Sequence, residues 1–186
     1  MEATLVEWLK EYGYIVLFFW SMLEGETGLV MAGVLSHTGD MNVPMSIAIA
    51  SLGGFIGDQI YFYLGVYNKS YVHREFSQHR RKFAKARLML RKYGAWVIFF
   101  QRFIYGMRTI IPLAIGMSSY NRKKFAIVNF ISAVVWASLT IIPAYIFGEE
   151  ILKAVVWMKE HWYFAVLFAI SIVGTLYYIS AKEDKK

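Results

Sequence analysis

Five charged side chains stand inside otherwise apolar stretches: Glu24, Glu26 and Asp58 in the first half of the chain, Arg102 and Arg108 in the second. At bilayer depth each costs about 2.5–3.5 kcal/mol on insertion scales, and such residues face a bundle interior or a watery cavity on a substrate or proton path. Arg102 and Arg108 keep their charge at any accessible pH and can hold a phosphate through paired hydrogen bonds. Six residues apart, they lie on different faces of an ideal helix, so a break at Gly106 is needed to turn both inward. Carboxyl groups withdrawn from water favour the neutral form and can carry a proton near neutral pH, which is what a proton-coupled carrier requires. Glu24 and Glu26 belong to EGETG, where Gly25 and Gly28 favour a chain break and Thr27 can cap the half-helix that follows. Only a broken backbone lets both acids face one cavity.

Asp58 lies in GGFIGDQIY, where Gly53 and Gly57 form a small-residue face for close helix approach and Tyr61 follows one turn later. Two roles remain open for it, a proton site or the structural partner of an arginine. The arginines likewise either meet an anionic headgroup or are neutralised by Asp58 or a glutamate, and Glu24 either joins them or sits in a watery mouth. Asn129 and Pro112 are supporting candidates. Trp136, Tyr105 and the other aromatics read as core and interfacial belts, and His37, His73, His79 and His161 fall in loops or at membrane edges. Without cysteine there is no thiolate chemistry, and neither a metal-ligand cluster nor a cofactor motif is present.

The elements that position these residues are membrane elements. Of 186 residues, 58% are hydrophobic, and a mean hydropathy of +0.42 is too apolar for a soluble domain of this length. The N-terminus, MEATLVEWLKEYGY, has no basic region or cleavage site ahead of the first apolar run and does not read as a signal peptide. Residues 43–65, 125–147 and 161–180 are long enough to span hydrocarbon, which takes about 20 residues. Stretches 12–35 and 94–119 are interrupted, the first by Glu24 to Gly28, the second by Gln101-Arg102, Gly106, Arg108 and Pro112. Both read as re-entrant hairpins, tolerated at depth where protein or a watery cavity covers the open backbone. Two ordinary spans carrying charges are the alternative.

From Lys69 to Lys92 the chain holds nine Lys or Arg and one acid, Glu75, so this connection is expected in the cytoplasm. The basic loop around Arg122-Lys123-Lys124 follows on the same side, and the N-terminus and the first hairpin mouth lie outside. Hairpin then span thus occurs twice with opposite orientation, an inverted repeat of the kind found in secondary transporters. The predicted architecture is an all-α polytopic membrane protein: an interfacial segment 1–11, a transport domain 12–147, and a tail 148–186 with a C-terminal span. Within connection 66–93, Val72, Phe76, His79, Phe83, Ala86 and Leu90 recur on one helical face. This predicts a basic amphipathic helix in the interface, drawn to anionic lipid rather than to nucleic acid.

Three motifs carry a family resemblance: GETGLVMAGVL around Glu26, GGFIGDQIYFYLG from Gly53 to Gly65, and FFQRFIYGMRTIIPLAIGMSSYNRKKF from Phe99 to Phe125. Together they resemble the DedA family of bacterial inner-membrane proteins, which share the VTT domain with eukaryotic lipid scramblases. The resemblance implies facing re-entrant hairpins, a multi-pass protein of the cytoplasmic membrane, and proton- or potential-dependent movement of undecaprenyl phosphate or a phospholipid such as phosphatidylethanolamine. By matched position, Glu26, Asp58, Arg102 and Arg108 become the essential charges. The chain departs from the family where Glu24 and Tyr105 occupy positions usually taken by proline. The leading expectation is a lipid flippase, with Arg102 and Arg108 on the phosphate and Glu24, Glu26 and Asp58 coupling protons, compatible with a homodimer. A lipid-phosphate enzyme lacks a nucleophile beside a base, and a membrane scaffold held together by its charges is the remaining class.

Overall fold

The computed structural model describes residues 2–23, 26–68, 80–104, 107–118 and 120–161. Among these residues every regular element is helical: α1 (Glu2–Leu23), α2 (Glu26–His37), α3 (Val43–Tyr67), α4 (Arg80–Tyr93), α5 (Ala95–Phe100), a 3-10 turn (Gln101–Phe103), α6 (Ile110–Gly116), α7 (Arg122–Ile146) and α8 (Gly148–Glu160). Helices α3 and α7, each of 25 residues, are long and apolar enough to cross a membrane. At 1.5 Å per residue each is about 38 Å long, against a hydrocarbon core of about 30 Å.

Both long helices begin on an asparagine. The Asn42 side chain accepts the Met45 amide at 3.3 Å and Asn121 that of Lys124 at 3.0 Å, satisfying amide groups that a helix start leaves open. The Asn121 cap moves the start of the second span from the expected residue 125 to Arg122, so the basic triplet forms the first turn of α7. Pro112 is the third residue of α6, where an amide proton would have no partner in the helix; it opens this half-helix rather than interrupting one. Gly94, at φ +57°, separates α4 from α5 with a backbone that other residues resist.

Helix α3 packs against α7 at the centre. Helix α1 lies on α3 and α5 on α7, while α2 crosses to α7 and α6 to α3. The first arm of each pair thus packs on the long helix of its own half, and the second arm on that of the other half. Apolar burial alone does not favour helix over lipid as a neighbour, so close approach at small residues carries the association. A Cβ on Gly53 would strike Ser21 and the Phe18 carbonyl, and one on Gly57 the Met22 carbonyl, both in α1. Gly116 of α6 lies against the Phe62 carbonyl, and Gly33 of α2 against Ala144 and the Ile141 carbonyl.

Helix α1 runs through residues 2–11 without a boundary at residue 12. The apolar face of α4 packs on protein: Ala86 is buried, and Phe83, Met89 and Leu90 pack on a core that includes Ile111, Ile115 and Phe125. Apolar spacing is the same for a helix lying on protein as for one lying on a bilayer, so the pattern could not tell these apart. The expected residue 69–79 part of that helix lies outside the described residues. So do the expected span beyond His161 and the basic tail.

Candidate functional site

The exchange of second arms puts four elements around one point. Asp58 projects from the middle of α3, Gln101 and Arg102 from the 3-10 turn that ends α5, Arg108 from the segment leading into α6, and Asn129 and Trp136 from α7. Asp58 is 1% exposed, Gln101 and Asn129 0%, Arg102 4% and Trp136 2%.

The Arg102 Nη2 donates to Asp58 Oδ2 at 2.6 Å. Gln101 Nε2 donates to the same oxygen at 2.9 Å and to Asn129 Oδ1 at 3.2 Å. Asn129 Oδ1 also accepts from Arg102 Nη2 at 3.3 Å, and its amide nitrogen donates to the Phe55 carbonyl at 3.5 Å. Arg108 Nε lies 3.8 Å from Asp58 Oδ1. Both guanidinium groups lie over the Trp136 ring, Arg102 at 5.1 Å and Arg108 at 5.0 Å from its centre, where the electron-rich face attracts cations. One carboxylate and one indole thus hold two arginines together.

The arginines are not equivalent. Arg102 is sealed: its Nη1 lies so close to Gly54 that any Cβ there would collide with it, and its Nε and Nη1 have no hydrogen-bond partner among the described residues. Arg108 retains 17% side-chain exposure, and its Nη2 donates to the Ser21 carbonyl at 2.7 Å. Ser21 is in the last turn of α1, where carbonyls lose their helical partners and a cation is favoured by the helix dipole. The break after Leu23 therefore creates the acceptor that draws Arg108 from the second half onto the first.

Of the residues singled out from sequence, Asp58, Arg102, Arg108 and Asn129 converge. Pro112 is buried within α6. Tyr61 is half-buried one turn beyond Asp58 without a hydrogen bond to it. Glu26 opens α2, exposed and without a partner among the described residues, and does not join the cluster. Glu24, Tyr105 and Gly106 lie outside the described residues. Sequence reasoning missed three members. Gln101 carried a signal, a polar side chain beside Arg102 in an apolar stretch. Trp136, expected in a core or belt, carried none, since only the fold shows which indole two cations share. Gly54 sat beside the Gly53 and Gly57 face and was hidden by it.

Two helices long and apolar enough to cross a membrane, α3 and α7, pack around a buried arginine–carboxylate cluster, as a helical membrane protein would arrange them. Residues 23–146 match the family model described as the VTT domain, and the chain belongs to this family, the DedA-type bacterial membrane proteins. It is 30% identical to inner membrane protein YohD of Escherichia coli, over 96% of this chain and 94% of that protein. It is 29% identical to protein DedA of E. coli, over 80% and 76% respectively. Undecaprenyl phosphate transporter A of Staphylococcus aureus is 22% identical over 96% of this chain and 94% of its own length. No solved structure matches the chain.

Proposed function

We propose that this protein is a non-enzymatic carrier that moves a lipid phosphate across the bacterial cytoplasmic membrane, with undecaprenyl phosphate as its first substrate. The observation that carries the reading is the convergence of Arg102 and Arg108 on Asp58 and Trp136 at the meeting point of the two halves. Arginine pairs recognise phosphate, and the name of the S. aureus relative points to the same lipid. Helices α1 and α2, and α5 and α6, are taken as re-entrant hairpins opening outward and inward respectively, with the basic connection in the cytoplasm and a further span after His161. The matching packing of the two arm pairs supports that inverted arrangement.

In this reading Asp58 holds the arginines while no phosphate is bound. A phosphate arriving at Arg108 competes for the guanidinium groups, and protonation of Asp58 releases them. One elementary charge moving through 100 mV is worth about 2.3 kcal/mol, enough to bias the cycle. The test is binding of undecaprenyl phosphate and of phosphatidylethanolamine to detergent-solubilised wild type, Arg102→Ala and Arg108→Ala. The proposal expects tight binding of the prenyl phosphate that falls at least tenfold in Arg108→Ala. Preference for phosphatidylethanolamine would change the substrate, and equal binding by all three proteins would remove the phosphate site.

A further inference from the structure

An apolar cavity of about 430 Å³ lies between α1 and α2, walled by Gly13, Leu17, Trp20, Gly28, Ala32 and Met41. Its two ends are tight. At one, Gly28 lies directly on the Trp20 indole, whose Nε1 donates to Thr27 Oγ1 at 3.2 Å; at the other, Gly13 faces the Met41 thioether. Its side is open, since Val16, Trp20 and Met31 on its rim are each about half exposed. The inner end stops one residue short of the α1 carbonyl that holds Arg108. Trp20 is followed by Ser21, whose carbonyl accepts the Arg108 guanidinium. From Gly13 to Trp20 the groove follows α1 for about 11 Å, at 1.5 Å per residue.

We infer that this groove seats the hydrocarbon chain of the same lipid whose phosphate meets Arg108, over the stretch nearest the headgroup. The inference rests on the phosphate reading proposed above and adds where the tail lies. A cation held by the residue that follows the inner end of an apolar trough, with no acid among the described lining residues, complements an amphiphile with an anionic head and an apolar chain. The groove runs from the break of the first hairpin toward the α2–α3 turn. With that hairpin opening outward, the chain lies in the outer leaflet and the lipid is taken from the outer side.

Two variants narrow the groove without touching the charged cluster. Gly13→Leu fills its outer end, where a Cβ is tolerated at 3.6 Å from Met41 Sδ, and Val16→Trp fills it from the exposed rim. Binding of undecaprenyl phosphate and of isopentenyl phosphate, which has a head but almost no tail, is measured for wild type, both variants and Arg108→Ala. Photocrosslinking of wild type with a prenyl phosphate bearing a diazirine near its head supplies a readout that needs no variant. The inference expects the groove variants to weaken the long-chain lipid at least tenfold and leave the short one within twofold. Arg108→Ala weakens both, and crosslinks fall on α1 and α2 between residues 13 and 32. Full-strength long-chain binding in both groove variants, or crosslinks confined to other helices, overturns the groove while Arg108 dependence preserves the phosphate site. Loss of Arg108 dependence overturns both.

Discussion

Neutralising Asp58 should be more damaging than neutralising the arginine it holds most closely. At the 2.6 Å separation of Asp58 and Arg102, and an effective dielectric constant near 20, the attraction is about 6 kcal/mol. Desolvation of the two ions offsets most of it, so the intact pair contributes little net stability, but removing one partner strands the other at a cost of about 3–5 kcal/mol. Asp58→Asn leaves two cations on one indole with only the neutral acceptors of Asn129 and Ser21. Arg102→Gln leaves Asp58 with Arg108 3.8 Å away and the Gln101 amide still donating. The expected order is therefore Asp58→Asn at about 3–5 kcal/mol, Arg102→Gln lower by about 1 kcal/mol or more, and the double variant at least about 2 kcal/mol better than the sum. Unfolding in mixed dodecylmaltoside–SDS micelles, followed by tryptophan fluorescence, measures all four proteins. Additive single effects, or an Asp58→Asn protein within about 1 kcal/mol of wild type, would refute the shared-carboxylate picture.

Gly54→Ala places a methyl against Arg102 Nη1 and beside Trp136, and should destabilise by about 1–3 kcal/mol through overpacking; in an Arg102→Ala background, unfolding midpoints should show most of that loss relieved. Trp136→Leu should lower lipid-phosphate binding at least fivefold while Trp136→Phe keeps most of it, because Phe retains a cation-attracting face; equal losses in a binding titration would show that the indole only fills space. Gly57→Leu drives a side chain into the Met22 carbonyl of α1 and should separate α1 from α3, read as faster proteolysis of the α1 end with α7 still protected. At the surface, the Lys153 ammonium bonded to Glu149 at 2.7 Å holds that carboxyl below its usual range. Its stabilising contribution is present at neutral pH and fades as pH falls through the lowered value, yet both groups are exposed. Lys153→Gln should raise the Glu149 titration, seen by NMR, and leave the thermal midpoint unchanged.

The sequence made the long helices legible because span length and apolar content are additive along the chain, while the Asn121 cap that starts α7 at Arg122 was overlooked. Helices α1 and α5 end at Leu23 and Phe100, beside Glu24 to Gly28 and Gln101 to Pro112, stretches whose charged, glycine and proline residues do not suit an uninterrupted apolar helix. Asp58, Arg102, Arg108 and Asn129 were found from the expense of polarity in an apolar segment. That criterion is blind to Trp136 and Gly54, whose part in the site is set by which arm crosses to which long helix. The same criterion does not report burial: Glu26 was singled out with Asp58 and the arginines but lies exposed at the start of α2, apart from them. The apolar face of α4 was seen, but its partner was not, because periodicity reports a face and not what covers it.

The central claim is that the arginine pair carries a lipid phosphate across the bilayer. Transbilayer movement of labelled undecaprenyl phosphate in proteoliposomes, with and without an imposed pH gradient, tests it most directly when wild type is compared with Arg108→Ala and Asp58→Asn. The account predicts wild-type movement that responds to the gradient, at least tenfold slower movement in Arg108→Ala, and loss of the gradient response in Asp58→Asn. Wild-type rates from a folded Arg108→Ala protein would contradict it.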